Sequence, residues 1–169
     1  MPVVREEVPE DYEAIRNLNR LAFGGNEEAE LVDRLRNTRL VVVSLVAVEG
    51  DEIAGHILFS DLPIETNEGV IDAVSLAPMA VHPKFQRQGI GSALVRQGLD
   101  ICRKRGKAIV VVLGHPGYYP RFGFSAPLAK DLHGPFSGDA WMALALKNGA
   151  LDNVKGTVRY PEAFGVLDH

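Results

Sequence analysis

The segment Met79-Ala80-Val81-His82-Pro83-Lys84-Phe85-Gln86-Arg87-Gln88-Gly89-Ile90-Gly91-Ser92-Ala93-Leu94 restricts the fold more than any other stretch of the chain. Its apolar start reads as a strand that Pro83 stops, after which Gly89 and Gly91 open a helix. Leu94, Gly98, Ile101 and Cys102 recur at helical spacing, and Gly106 ends that helix. Glycines without Cβ let the N–H groups of such a turn converge on an anion at close range. The helix N-terminus adds about half a positive charge along the same axis. The turn is therefore a candidate pyrophosphate cradle, with Arg87 as an extra counter-charge. A dinucleotide-binding turn would want a third glycine where Leu94 stands, and a Walker loop would want Gly-Lys-Ser/Thr, which is absent. Taken alone, the segment also fits an ordinary strand-to-helix turn.

Strands and helices flank this turn. Val3-Val4-Arg5 can open a short strand, and Pro9-Glu10-Asp11 suits the first turn of a helix carrying Ile15, Leu18, Leu21 and Ala22. Gly24-Gly25-Asn26 breaks it, and Leu31, Val32 and Leu35 mark a second helix, rich in Glu at its start and Arg near its end. Leu40 to Val48 reads as a buried β-branched strand, joined through Glu49-Gly50-Asp51-Glu52 to a hairpin partner from Ile53 to Phe59. A polar connection around Glu65 to Gly69 leads to a strand from Val70 to Leu76. Ile109 to Leu113 is a continuous apolar run, as expected of a strand covered on both faces. Trp141 to Leu146 is the last strand, with Trp141 anchoring the core at its start. The order β-α-α-β-β-β-α-β, a Tyr-rich segment and a final β predicts one α/β domain over residues 1–169, without internal repeats or a dividing linker.

Composition narrows the partners. Eighteen Lys and Arg against 22 Asp and Glu leave a net charge of −4, which gives no general reason to bind a phosphate backbone, so nucleic acid is not expected. The single Cys102 rules out an intramolecular disulfide or a multi-cysteine zinc site, and no metal is expected. The acidic N-terminus lacks a signal-peptide core, and the longest apolar run, Leu40 to Val48, is too short to span a bilayer. A cytoplasmic protein without membrane partners is the expectation.

Gln86-Arg87-Gln88-Gly89-Ile90-Gly91 fits the Gln/Arg-x-x-Gly-x-Gly/Ala motif of the Gcn5-related N-acetyltransferases (GNAT). Leu76-Ala77-Pro78-Met79-Ala80-Val81-His82-Pro83 is similar to the strand that precedes it in them, and Tyr118-Tyr119-Pro120-Arg121-Phe122-Gly123-Phe124 to their Tyr-x-x-x-Gly-Phe segment. Two motifs in the right order, separated by one helix and one apolar strand, make the resemblance specific from about Leu76 to Phe124. The chain resembles bacterial members described as predicted N-acetyltransferases. The resemblance implies a mixed, mostly antiparallel central sheet with one splayed parallel strand pair and helices on both faces. It puts the cofactor-binding core at about residues 70–125. It also implies acetyl-coenzyme A as co-substrate, an amine acceptor that is a small molecule or a protein amine, and leaves a homodimer open. Residue by residue, backbone amides of Arg87, Gln88, Gly89, Ile90, Gly91 and Ser92 would hold the pyrophosphate, with Gln86 opening the motif. Met79, Ala80 and Val81 would line the pantetheine arm, Val81 pairing through its backbone and the Met79 N–H pointing at the thioester carbonyl. Pro78 lacks an N–H and removes one ladder bond where these enzymes splay two strands apart.

The implied reaction needs a neutral nitrogen, although an alkylammonium has a pKa of about 10. It also needs a preset oxyanion donor, typically worth about 3 kcal/mol. A proton donor for the departing thiolate is the third requirement, and the resemblance assigns that role to Tyr119 as general acid, with Tyr118 as the alternative. The base is a gap. Some relatives carry a Glu four residues before the thioester-binding amide, where this chain has Ser75. Glu65, Glu68, Asp72, His56, His82 and His115 remain candidates, directly or through water. Many relatives also place an Asn where Val112 stands, with Gly114-His115-Pro116-Gly117 following it here. Cys102 falls on the packed face of its helix, which argues against an acetyl-cysteine intermediate and for direct attack in a ternary complex. The competing class is a non-catalytic acyl-coenzyme-A-binding or regulatory module of the same fold. The tail from Gly149 to His169 is expected either to pack locally or to reach a partner chain.

Overall fold

Helix caps and ion pairs fix the N-terminal elements in the computed structural model, which describes residues 2–165. β1 (Val3–Glu6) leads through a 3-10 turn at Pro9–Asp11 into α1 (Tyr12–Phe23). The Asp11 carboxylate accepts from the Val8 N–H at 2.8 Å and from Arg5 at 2.7 and 3.0 Å, closing the entry to the helix. Gly24 ends α1 at φ +77°, its N–H donating to the Arg20 carbonyl. α2 (Glu27–Asn37) has acidic residues in its first turn and Arg34 and Arg36 in its last, so both ends complement the helix dipole. Arg16 joins the two helices through Asp33 at 3.1 and 3.2 Å.

One sheet runs in the order β1-β2-β3-β4-β5-β7, where β2 is Val41–Glu49, β3 Glu52–Thr66, β4 Gly69–Val81, β5 Ile109–Leu113 and β7 Trp141–Ala145. Antiparallel ladders join β1 to β2, β2 to β3 and β5 to β7. β4 and β5 are parallel, registering Val74 with Val110 and Ser75 with Val111. α3 (Ile90–Lys104) connects these two strands. Two short strands complete the set: β6 (Leu132–His133) runs parallel to β8 (Gly156–Val158), and β8 is antiparallel to β3. β3 is longer than its sequence pattern suggests, running past Phe59 to Thr66 and pairing Ile64 with Val158, while β4 joins the strand read from Val70 to Leu76 to the apolar segment that Pro83 stops.

The chain divides into two compact units, and β3 and β4 contribute to both. The first runs to Ser60 and takes in Ala77–Ile101. Successive β3 residues point to opposite faces of the strand. On one face α3 presses close: a Cβ on Gly55 would meet Ile90 at 2.9 Å and Leu94 at 3.0 Å, and a Cβ on Gly98 would overlap the Phe59 ring. On the other face the buried His56 belongs to a network reaching α2, so helices flank both faces of this part of the sheet. We expect Gly98→Ala to cost about 1–3 kcal/mol, read as a lower urea midpoint at unchanged m-value, because the Phe59 ring must leave its site. An unchanged midpoint would show that α3 is free to shift away from β3.

In that network the Ser44 hydroxyl donates to Glu7 Oε1 at 2.6 Å and lies 2.9 Å from His56 Nε2. Since its one proton goes to Glu7, His56 Nε2 is the donor of the second bond. Arg36 donates to Glu7 at 2.8 and 3.0 Å and stacks 3.8 Å over the Tyr12 ring. Burial pushes the His56 pKa down to about 4, against the pull of Glu7 and with the help of Arg36. Burial alone would raise the Glu7 pKa, but the hydrogen bonds from Arg36 and Ser44 and the Arg36 charge outweigh it and hold the carboxyl low. The folded state thus favours neutral His56 while the unfolded chain takes up its proton near pH 6.5. Stability should fall by roughly 3 kcal/mol as the pH drops from neutrality to 4, with Glu7 adding to the loss at the acid end. Urea titrations at pH 7 and pH 4 measure this, and a His56→Gln variant should flatten the dependence.

The second unit comprises Asp61–Leu76 and the described chain from Cys102 onward. Its core gathers Leu62, Ile64, Ala73, Ile109, Val111, Leu132, Trp141, Ala143 and Val158. Trp141 is buried and its Nε1 donates to the Leu132 carbonyl at 3.1 Å, which is the anchoring role its position predicts. Lys107 bridges Asp61 at 3.2 Å and Asp72 at 2.6 Å. Cys102 is fully buried, and burial pushes its thiol up to about 12, so it is held as an inert thiol at neutral pH. The tail packs locally through β8, Tyr160 and the 3-10 turn Glu162–Phe164, and its final residues, 166–169, lie outside the described part. Among the described residues no helix is long and apolar enough to cross a membrane, and no cluster of His, Cys, Asp and Glu is arranged to hold a metal ion.

Candidate functional site

The first unit carries the end of β4 and the glycine turn. Pro78 and Ala80 are buried, whereas Ala77, Met79 and Val81 are half-buried, so alternate residues of this strand face open space. The His82 N–H donates to the Ala54 carbonyl at 2.8 Å and holds the strand end against β3. A 3-10 turn at Pro83–Phe85 follows, capped by His82 Nδ1, which accepts from the Lys84 N–H at 3.1 Å. Lys84 is tied to Glu52 at 2.9 Å. Gln86 folds back, its Nε2 donating to the Val81 carbonyl at 3.3 Å. The motif glutamine therefore closes the turn on the strand, a role that its side-chain amide and its spacing from Val81 make possible.

Arg87 sits at φ +65° and Gly89 at φ +81°. Left-handed residues spaced this way turn successive N–H groups towards one concave side. The conformation costs Gly89 little but costs Arg87 roughly 1–2 kcal/mol, a strain of the kind concentrated where a loop binds a ligand. Gly89 caps α3 by accepting from the Ala93 N–H at 3.0 Å. Ile90 and Gly91 fall in the first helical turn, where N–H groups have no intrahelical acceptor. Nothing lies within 4 Å of a Cβ built on Gly89, so the turn is open on that side. Ile90 is buried against Gly55, which fixes the direction of the helix end. Gln88 and Ser92 complete the segment, Gln88 exposed and Ser92 half-buried.

The second unit carries Tyr119. The Gly114-His115-Pro116-Gly117 connection curls so that the His115 carbonyl accepts from the Tyr118 N–H at 3.0 Å and the Tyr119 N–H at 3.2 Å. A 3-10 turn, Tyr119–Phe122, follows and ends at Gly123 with φ +103°. Tyr119 is 8% exposed, with Phe124 at 5.7 Å and Tyr118 at 5.1 Å between ring centroids, both edge-on. A Cβ on Gly114 would overlap the Tyr119 ring, so the glycine makes room for the tyrosine. No local sequence pattern pairs Gly114 with Tyr119, so the contact is a product of the fold. Burial, with a smaller contribution from Tyr118, pushes the Tyr119 phenol up to about 12. Tyr118 is half-buried under Arg121, whose guanidinium lies 4.5 Å from its ring centre. Val112 is buried in β5 opposite Met142.

The base candidates separate. His56 is enclosed in the Glu7–Ser44 network, Glu65 pairs with Arg159 at 3.0 Å, Asp72 pairs with Lys107, and His82 Nδ1 accepts from the Lys84 amide. Glu68 lies in the exposed β3–β4 turn, and His115 is exposed. Ser75 is 2% exposed and hydrogen-bonded to the hydroxyl of Tyr160. No sequence signal pairs these two, because they stand far apart in the chain.

The chain matches the Acetyltransferase (GNAT) domain over residues 3–126. It is 36% identical over 165 residues to YhbS of Escherichia coli K12, an uncharacterized N-acetyltransferase, covering 96% of this chain and 98% of that one. The crystal structure of the GNAT protein YhbS from Escherichia coli in complex with CoA superposes with a TM-score of 0.88 at 34% identity, over 99% of this chain and 93% of that one. A GNAT acetyltransferase from Brucella melitensis, solved in complex with acetyl-CoA, gives 0.81 at 34% identity over 97% and 98% of the two chains. A family match across most of the sequence and a whole-length relative agree with the glycine turn, the mixed sheet and the Tyr-x-x-x-Gly-Phe segment: the chain belongs to the GNAT acetyltransferase family.

Proposed function

We propose that the protein binds acetyl-coenzyme A and transfers the acetyl group to an amine by direct attack in a ternary complex. The observation that carries this reading is the open cradle at Arg87 to Gly91, with left-handed residues before a helix N-terminus. Two relatives at 34% identity were solved with CoA and with acetyl-CoA, which supports the same ligand here. In this reading the amides of Arg87 to Ser92 hold the pyrophosphate, and the backbone of Met79, Ala80 and Val81, with Met79 and Val81 half-buried, receives the pantetheine arm. Gln86 occupies the Val81 carbonyl, and in this reading the Val81 backbone pairs with the arm while Met79 offers its N–H to the thioester oxyanion. The reading takes residues 1–169 as a single GNAT domain, which the alignment with YhbS along 96% of the chain supports. A cytoplasmic location belongs to the same reading.

Tyr119 assists the leaving sulfur. A phenol near 12 is a weaker acid than an ordinary thiol near 8.5, so full proton transfer to a thiolate is uphill. Tyr119 therefore acts as a hydrogen-bond donor to the developing thiolate, which takes its proton from water afterwards. Such a bond to a charged group is worth about 1.5–3 kcal/mol. Calorimetry with acetyl-coenzyme A, using NAD and ATP as controls, tests the cofactor, and thiol release with amine probes tests transfer. Selective binding of acetyl-coenzyme A with amine-dependent thiol release is expected. Failure to bind would remove the assignment, and binding without transfer to any amine would favour a non-catalytic acyl-coenzyme-A module.

A further inference from the structure

Between the Tyr-x-x-x-Gly-Phe segment and β7 runs a long connection, residues 125–140, whose regular structure is a 3-10 turn at Pro127–Ala129 and the two residues of β6. Ordered loops of this length serve mostly as lids or binding segments. Both ends of this one are tied. Ser125 and Ala143 exchange backbone N–H···O bonds at 3.0 and 3.1 Å, and the Trp141 N–H donates to the Gly138 carbonyl at 3.2 Å. Between them the Ser125 hydroxyl accepts from the Leu128 N–H at 3.3 Å, and β6 pairs with β8. The loop so folded shapes a pocket of about 300 Å³ that lies wholly within the second unit. None of its residues takes part in the acetyl transfer proposed above.

The lining is apolar inside and cationic outside. Ala129, Leu132 and Trp141 are buried, and Phe136 stands beside them with its ring 6.0 Å from that of Trp141. The bond from Trp141 Nε1 to the Leu132 carbonyl holds this aromatic wall in place. Lys130 and His133 are exposed, and neither side chain forms an ion pair among the described residues. None of the described residues that line the pocket is Asp or Glu, although acids outnumber bases in the chain as a whole. We propose that the pocket binds a small aromatic monocarboxylate, its ring against Trp141 and Phe136 and its carboxylate on Lys130 and His133. A cavity of roughly 150 Å³ holds a benzene ring, so the volume here accepts a ring with a short acid chain. An ammonium in place of the acid would meet Lys130 with like charge and find no carboxylate to pair with. A single lysine and an imidazole suit one negative charge better than the two of a phosphate ester.

Trp141 is the only tryptophan of the chain, so its fluorescence reports on this wall without a label. The full chain is titrated with 3-phenylpropionate, and calorimetry gives the affinity independently. Two controls dissect the ligand: 2-phenylethylamine replaces the acid by an amine, and acetate lacks the ring. Saturable binding of 3-phenylpropionate with a Kd of about 0.1–1 mM is expected, with both controls at least about tenfold weaker. Lys130→Glu should weaken the acid by about tenfold and leave thermal unfolding unchanged, because the residue is exposed. Equal binding of 2-phenylethylamine and 3-phenylpropionate overturns the proposal, as does a Lys130→Glu protein with wild-type affinity. L-Phenylalanine, which joins the same ring and acid to an amine, separates two sources of the bound acid. Its acetylation at a lower KM than 2-phenylethylamine identifies the acid as part of the acceptor, and binding without acetylation identifies a separate ligand; both outcomes support the site. The binding measurements need no acetyl-coenzyme A, so failure of the transfer reading would leave them unchanged.

Discussion

Gly89→Asp is expected to abolish binding of acetyl-coenzyme A while leaving the protein folded. Position 89 has φ +81°, a conformation that Asp tolerates better than most residues with a side chain, so the backbone cost is about 1 kcal/mol. No atom lies within 4 Å of a Cβ at this site, so the new side chain does not clash and projects into open space beside the turn. The pyrophosphate is proposed to occupy that space. A carboxylate about 4 Å from a phosphate charge costs roughly 4 kcal/mol at an effective dielectric near 20, which is a loss of about a thousandfold in affinity. Calorimetry on the folded variant reads it directly. Gly89→Ala separates the two effects, because it carries the same backbone strain without the charge and should lose far less. An Asp variant that binds as tightly as wild type would remove the pyrophosphate from this turn.

Tyr119→Phe is the second large effect, expected on turnover rather than on binding. The ring is held by Gly114, Phe124 and Tyr118, and Phe preserves all of these contacts, so thermal stability and cofactor affinity should change little. Loss of the hydroxyl removes one hydrogen bond to the developing thiolate and should lower kcat by about 10- to 100-fold. The pH profile adds an independent readout. Because burial pushes the phenol to about 12, Tyr119 stays protonated through the neutral and mildly alkaline range. Any fall of the wild-type rate between pH 8 and 10 therefore has another origin and should persist in the variant. Full activity of Tyr119→Phe would move the donor role elsewhere, with Tyr118, stacked under Arg121, as the next residue to replace.

The two predictions address different links between sequence and activity. The proposed Gly89 cradle is a matter of backbone conformation, whereas the proposed Tyr119 donor depends on where a side chain is buried.

What was legible in the residues alone is what local chemistry controls. Pro83, Gly89 and Gly91 announce the strand end, the turn and the start of α3 because φ preferences and missing donors act within a few residues. The acidic and basic ends of α2, the glycine after α1 and the apolar run of β5 are readable for the same reason. Contacts between distant segments were not. β6 and β8 have two and three residues, too few to show a period, and exist because β3 and the neighbouring core offer them partners. The sequence pattern ended this strand at Phe59, yet burial of Leu62 and Ile64 and pairing with β8 carry β3 on to Thr66. Gly98 under Phe59, Gly114 under Tyr119 and Tyr160 on Ser75 are packing facts set by the folded core. A local pattern reports the periodicity and conformational limits of its own segment, whereas these pairings depend on which surfaces the whole chain can bury together.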